Sequence, residues 1–72
     1  MVTATETKPR HVIIDKRKEL GMTQEEVAYA AGISRPFYAG IERGLRDPSL
    51  ETAQRVCLVL KMPVDKAFPL KK

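Results

Sequence analysis

One cysteine, one histidine, no tryptophan and no apolar run approaching the roughly 20 residues of a membrane helix mark this chain by what it lacks. A lone Cys57 closes no intramolecular disulfide and builds no multi-cysteine zinc site. With His11 as the single imidazole there is neither a second metal ligand of that kind nor a nucleophile–base pair, so metal binding and catalysis are not expected. The opening MVTATETKPR has no apolar stretch and no small-residue cleavage pattern, which argues against a signal peptide. Nothing suggests a small-molecule cofactor. The expectation is a reduced, cytoplasmic binding domain that is not an enzyme. At 72 residues it has room for one small core, burying about 60% of its unfolded surface.

Positive charge exceeds negative by 13 to 9, a net +4, with an isoelectric point near 9.5. Residues 1–24 carry five positive and three negative charges, residues 25–48 three and four, and residues 49–72 five and two. The excess is a hint of polyanionic partners, but the placement of individual residues decides the matter.

Residues 1–10 are polar, rich in threonine and aperiodic, which reads as a disordered arm. Lys8 and Arg10 on that arm could supplement nucleic-acid binding through backbone or minor-groove contact. The domain itself is expected over residues 11–70. His11 to Leu20, with Ile13, Ile14 and Leu20 apolar, suits a short amphipathic helix that Gly21 stops. Thr23-Gln24-Glu25-Glu26 is a capping box, because Thr23 can accept the Glu26 N–H while the Glu26 side chain returns to the Thr23 N–H. Val27, Ala28 and Ala31 give this second helix an apolar stripe, and Gly32 ends it. A third helix follows Ser34 and runs to about Arg43, stopped by Gly44, with Phe37, Tyr38 and Ile41 on one face. Asp47-Pro48-Ser49 is turn chemistry followed by a cap. A fourth helix, Leu50 to Leu60, carries Leu50, Ala53, Val56, Cys57 and Leu60 on a stripe, where Cys57 reads as a small core residue. Pro63 suits the first turn of a last helix, Val64 to Phe68. With no alternating strand pattern, the fold class is all-α: five short helices in one compact domain.

The second and third helices, joined through Ala31-Gly32-Ile33-Ser34, form a helix-turn-helix candidate. In such a pair the second helix can lie in the major groove of DNA with its N-terminal residues against base edges. The small residues Ala28 and Ala31 suit a close helix crossing. Met22-Thr23-Gln24-Glu25-Glu26-Val27-Ala28, then Ala31-Gly32-Ile33-Ser34-Arg35, then Ile41-Glu42-Arg43-Gly44, then Asp47-Pro48-Ser49-Leu50-Glu51-Thr52, resembles the phage-repressor/Cro type of helix-turn-helix regulator, the XRE family. The similarity extends from about Ile13 to Phe68 and implies a lambda-repressor-like fold, double-stranded DNA as partner and a role in transcription.

The resemblance also implies roles for residues. Gln24, with Thr23 beside it, would contact a backbone phosphate from a helix N-terminus, where free N–H groups and the dipole attract anions. Ser34 and Arg35 open the helix that makes base contacts, and Arg35 could bind guanine as a bidentate donor. Arg43 and Arg46 would contact phosphates. Arg17 and Glu42 match a buried ion pair tying the third helix to the first. Three features depart from the pattern. Pro36 biases Arg35 away from helical geometry, so the third helix is expected to start one residue late. Gly40 stands where many relatives place a base-reading side chain, leaving Arg35, Pro36, Phe37, Ala39 and Gly40 as a groove-facing surface poor in donors, suited to thymine-methyl packing and DNA shape. Tyr38 replaces an aliphatic core residue, and its hydroxyl needs a partner.

Leu58 falls on the outer face of the fourth helix. With Leu70, Val64 and Phe68 it could form an apolar patch for a twofold homodimer. The resulting reading is a nucleoid-associated, dimeric regulator, a repressor of a roughly palindromic operator. An alternative keeps the fold but presents the third helix to a protein partner, as an antitoxin does; Pro36, Ala39 and Gly40 favour it.

Overall fold

The computed structural model describes residues 8–69, which form α1 (His11–Glu19), α2 (Gln24–Ala31), α3 (Arg35–Arg43), α4 (Leu50–Leu60) and α5 (Val64–Ala67), with no strand among the described residues. None of the helices is long and apolar enough to cross a membrane.

Local chemistry sets the boundaries. The Thr23–Glu26 capping box is complete: Thr23 Oγ1 accepts from the Glu26 N–H at 3.0 Å, and Glu26 Oε1 accepts from the Thr23 N–H at 2.8 Å. Ser34 and Ser49 cap α3 and α4 in the same way, accepting from Phe37 N and Thr52 N. At each C-terminus from α1 to α4 the chain turns back through paired backbone bonds. At α2 they run from Gly32 N to Tyr29 O and from Ile33 N to Ala28 O; at α3, from Gly44 N to Ile41 O and from Leu45 N to Gly40 O. These Schellman closures satisfy carbonyls that the helix leaves orphaned. They require a left-handed residue, supplied by Gly32 (φ 76°) in the turn between α2 and α3 and by Gly44 (φ 81°) after α3.

The late start expected for α3 does not occur, and the helix begins at Arg35. Pro36 sits in the first turn, where its missing N–H would have had no intrahelical acceptor, and the Ser34 cap fixes the geometry ahead of it.

The core is built from every helix: Ile13 of α1, Val27, Ala28 and Ala31 of α2, Tyr38 and Ile41 of α3, Val56, Cys57 and Leu60 of α4, and Ala67 of α5. Helix α2 lies against both α3 and α4, and its alanines permit the approach. Leu50 is a correction. Expected on the core stripe, it is 69% exposed, because the buried residues Ala53, Val56, Cys57 and Leu60 turn the stripe away from it. No described element packs over the first turn of α4, where Leu50 lines an open groove with Ala53, Val64 and Phe68.

Much of the expected arm, residues 1–7, lies outside the described residues, but its end is part of the fold. The Arg10 N–H donates to Glu42 O at 2.8 Å. Its guanidinium donates to Ile41 O (2.7 Å), Arg46 O (3.0 Å) and Asp47 Oδ1 (2.7 Å), and lies 5.2 Å from the Phe68 ring centroid. Arg10 is therefore no free nucleic-acid contact. It places a cation on the carbonyl end of α3, where the helix dipole favours it, and over the face of an aromatic ring.

Gly44 shows how tight this junction is. A Cβ at Gly44 would collide with the Lys8 carbonyl, whereas one at Gly32 would find its nearest neighbour, Arg55 Nη1, at 3.5 Å. Gly32→Ala should cost about 1–2 kcal/mol, the left-handed penalty alone. Gly44→Ala should cost more, since the 8–10 segment must also move. Urea unfolding of both variants checks the order; equal losses would show that the segment yields freely.

Candidate nucleic-acid interface

On a helical wheel α3 divides into two faces. Tyr38, Ile41 and Glu42 are buried, while Arg35, Pro36 and Arg43 are exposed and Ala39 is half-exposed. A buried carboxylate on the inner face demands compensation, and Glu42 receives it from both neighbouring helices. Arg17 of α1 donates through Nε to Glu42 Oε2 at 2.5 Å and through Nη2 to Oε1 at 3.3 Å. Gln24, first residue of α2, donates through Nε2 to Oε1 at 2.8 Å. A remaining Arg17 donor, Nη1, reaches Met22 O just ahead of α2 at 2.9 Å.

Burial pushes the Glu42 pKa up, but the hydrogen bonds from Arg17 and Gln24 outweigh it and hold the carboxyl below its ordinary value. The Glu42 hydrogen bond raises the Arg17 pKa in turn. Tyr38 lies one turn before Glu42 on the same face. Its hydroxyl is buried beside the Glu42–Arg17 pair and makes no hydrogen bond of good geometry among the described residues. Burial, with the Glu42 carboxylate nearby, raises its pKa.

Several residues singled out in the sequence are thus placed. Gln24 stands at the α2 N-terminus with its amide steered by Glu42, and the second N–H of Nε2 remains to donate elsewhere. Thr23 is exposed, its hydroxyl oxygen engaged in the capping box while its proton stays available. Ser34 is exposed and caps α3. The guanidinium groups of Arg35 and Arg43 make no ion pair among the described residues.

Two residues expected on the groove-facing surface are placed otherwise. Phe37 packs partly against the core, since it lies on the Ile41 side of α3, one turn before it. Gly40 is buried under the Arg46 side chain, whose Cγ lies 2.7 Å from where a Gly40 Cβ would stand.

Of the apolar residues considered for a dimer patch, Leu58 is 79% exposed and shares a shallow groove with Val64. Phe68 lines a different groove, with Leu50, Ala53 and Val64, and carries Arg10 over its ring. Leu70 lies outside the described residues. No cluster of His, Cys, Asp and Glu suited to a metal occurs among the described residues.

The clasp by Arg10 was not legible in the sequence. Its one local signal is an arginine just before α1 together with an aspartate after α3, Asp47, whose residue type reads as turn chemistry alone.

A capped helix, a left-handed glycine turn and a second helix fixed from behind, with cations on its open face, define a helix-turn-helix domain. The chain belongs to the helix-turn-helix family, whose profile matches residues 13–66. It is 43% identical over 51 residues to an HTH-type transcriptional regulator of Methanothermobacter thermautotrophicus, covering 71% of this chain and 74% of that one. It is 35% identical over 52 residues to the cryptic phage CTXphi transcriptional repressor RstR of Vibrio cholerae, covering 72% of this chain but 47% of the repressor. The chain therefore spans about half to three-quarters of these relatives. Among solved structures, the N-terminal DNA-binding domain of SinR from Bacillus subtilis matches with a TM-score of 0.75 at 32% identity, over 85% of this chain and 90% of that one. SinR in complex with DNA matches with a TM-score of 0.69 at 34% identity, over 75% and 87%.

The Glu42 network generates a prediction with a definite sign. A carboxyl whose folded pKa is depressed adds stability that is complete above its unfolded value, about 4.3, and is lost as pH falls through the folded value. Arg17→Met leaves a buried charge short of its cation and should cost about 3–5 kcal/mol at neutral pH. Without Arg17, burial dominates and Glu42 is relieved by protonation. The stability gap between wild type and Arg17→Met should therefore narrow from pH 7 to pH 4 in denaturant unfolding; a gap independent of pH would contradict this account of the network.

Proposed function

We propose that the chain is a transcriptional regulator that binds double-stranded DNA with α3 in the major groove. The observation that carries this reading is the two-faced construction of α3: one face locked to α1 and α2 through Glu42, the other exposed and carrying Arg35 and Arg43 without protein partners among the described residues. Ser34 and Arg35 open the helix at the end that meets base edges, and Arg35 has the donor geometry for guanine. Pro36 and Ala39 offer apolar contact to thymine methyls and no hydrogen-bond donor, so shape contributes more to site choice than in a donor-rich helix. Gln24 and Thr23, at the N-terminus of α2, are placed for a phosphate, and Arg43 for another at the far end of α3. That SinR, of similar fold, was solved in complex with DNA supports DNA as the partner.

The protein acts in this reading as a homodimer, with the exposed Leu58, and Val64 of the same groove, at the twofold contact and Phe68, which shares a second groove with Val64, beside it. Two α3 helices would then sit about 34 Å apart on a roughly palindromic operator. Repression follows by occlusion of polymerase, in the cytoplasm and at the nucleoid, without a catalytic step.

A salt titration of binding to a mixed-sequence duplex tests the proposal. The logarithm of affinity should fall steeply and linearly with the logarithm of salt concentration, the slope counting neutralised phosphates. Arg43→Ala should lower that slope by about one and weaken all duplexes alike, whereas Arg35→Ala should relax preference at one base pair. A flat salt response would instead favour a protein partner for α3.

A further inference from the structure

Gly40 shares a face of α3 with Pro36, four residues before it, and Arg43, three residues after it, so a side chain at position 40 would stand beside the exposed cationic surface. That volume is filled from elsewhere in the chain. Measured from the place a Gly40 Cβ would occupy, Arg46 Cγ lies at 2.7 Å, Cβ at 3.6 Å and Cδ at 3.8 Å. The methylenes of Arg46 thus run where a residue-40 side chain would run, and the absence of one at Gly40 is what admits them.

The backbone of Arg46 is fixed on both sides. Its N–H donates to Gly40 O at 3.2 Å, alongside the Leu45 N–H at 2.9 Å, and its own carbonyl accepts from Arg10 Nη1 at 3.0 Å. The side chain therefore leaves from a held position and its stem is packed against α3, while the residue as a whole is exposed. Its guanidinium donates no hydrogen bond and makes no ion pair among the described residues.

We propose that Gly40 is a seat for Arg46, and that Arg46, laid across it, is a specificity-determining residue that reads a base edge beside α3 in place of the missing residue-40 side chain. The inference rests on the DNA-binding reading above and deepens it, giving a planar bidentate donor to a helix face otherwise short of donors. A guanine, with its paired O6 and N7 acceptors in the major groove, is the base this group matches. Arginine rather than lysine is required, because a point charge satisfies a phosphate but does not reproduce the fork.

The test selects bound duplexes from a random pool with wild type, Arg46→Lys, Arg46→Ala and Gly40→Ala, with thermal melts of each. Wild type should prefer guanine at one position per half-site. Arg46→Lys should keep affinity for mixed-sequence duplex yet lose roughly tenfold discrimination at that position. Gly40→Ala, which puts a methyl under the Arg46 stem and a better helix former in α3, should stay folded and lose the same preference. Retained preference in Arg46→Lys, or an Arg46→Ala variant that binds every duplex more weakly with preferences unchanged, would make Arg46 a phosphate contact and overturn the proposal. A wild type that selects no duplex overturns the DNA-binding reading itself, and a loss of preference in Gly40→Ala accompanied by a lost melt removes the support of that variant and leaves Arg46→Lys to decide.

Discussion

The Glu42 carboxylate is the constraint around which this domain is arranged. An ionised group taken out of water is costly unless hydrogen bonds and an opposite charge replace the solvent. Here the replacements come from α1, through Arg17, and from the first residue of α2, through Gln24. None of the three helices can shift against the others without stranding that charge. Such a buried pair adds little net stability over apolar packing of the same volume. Its consequence is positional: the inner face of α3 has one orientation, and so has the outer.

A second clasp acts on the backbone at the same, carbonyl end of α3. Arg10 takes the Ile41, Glu42 and Arg46 carbonyls and the Asp47 carboxylate, and stacks over Phe68. The carbonyl end of α3 is thereby joined to the start of α1 and to the end of α5. With α3 held by these two anchors, the exposed side chains of Arg35 and Arg43 are left without ion-pair partners among the described residues, which is the condition for a preorganised binding face. Rigidity behind and unsatisfied cations in front are two results of the same sequence of residues, alternating by helical period.

The parts of the fold that could be read from sequence are those set by neighbours a few residues apart. Thr23 with Glu26, Ser34, Gly32, Gly44 and Ser49 act within one helical turn, so the residue types alone place α2, α3 and α4. The stripe of α4 was legible except at its end: Leu50 has the right residue type and a marginal angle, and only the absence of a packed neighbour over the first turn leaves it in solvent. The site was legible to the extent that its residues lie on one helix face. Its remaining features join positions far apart in the chain: Gln24 to Glu42, Arg10 to Asp47, and Arg46 to Gly40. Local periodicity carries no information about these pairs. Gly40 is instructive, since a missing side chain reads as an empty surface until the residue that fills it is seen.

The central claim is that the outer face of α3, backed by the Glu42 network, is the surface presented to a DNA duplex. Amide chemical-shift perturbation on titrating the isotopically labelled protein with duplex at low salt tests it most directly, because it reports on every helix at once. The account predicts changes concentrated at Gln24, at Ser34 to Arg35, and at Ala39 to Arg46, with the outer side of α4 around Leu58 changing little beyond any effect of dimer formation. Perturbations centred on α4 and α5, with α3 silent, would contradict it.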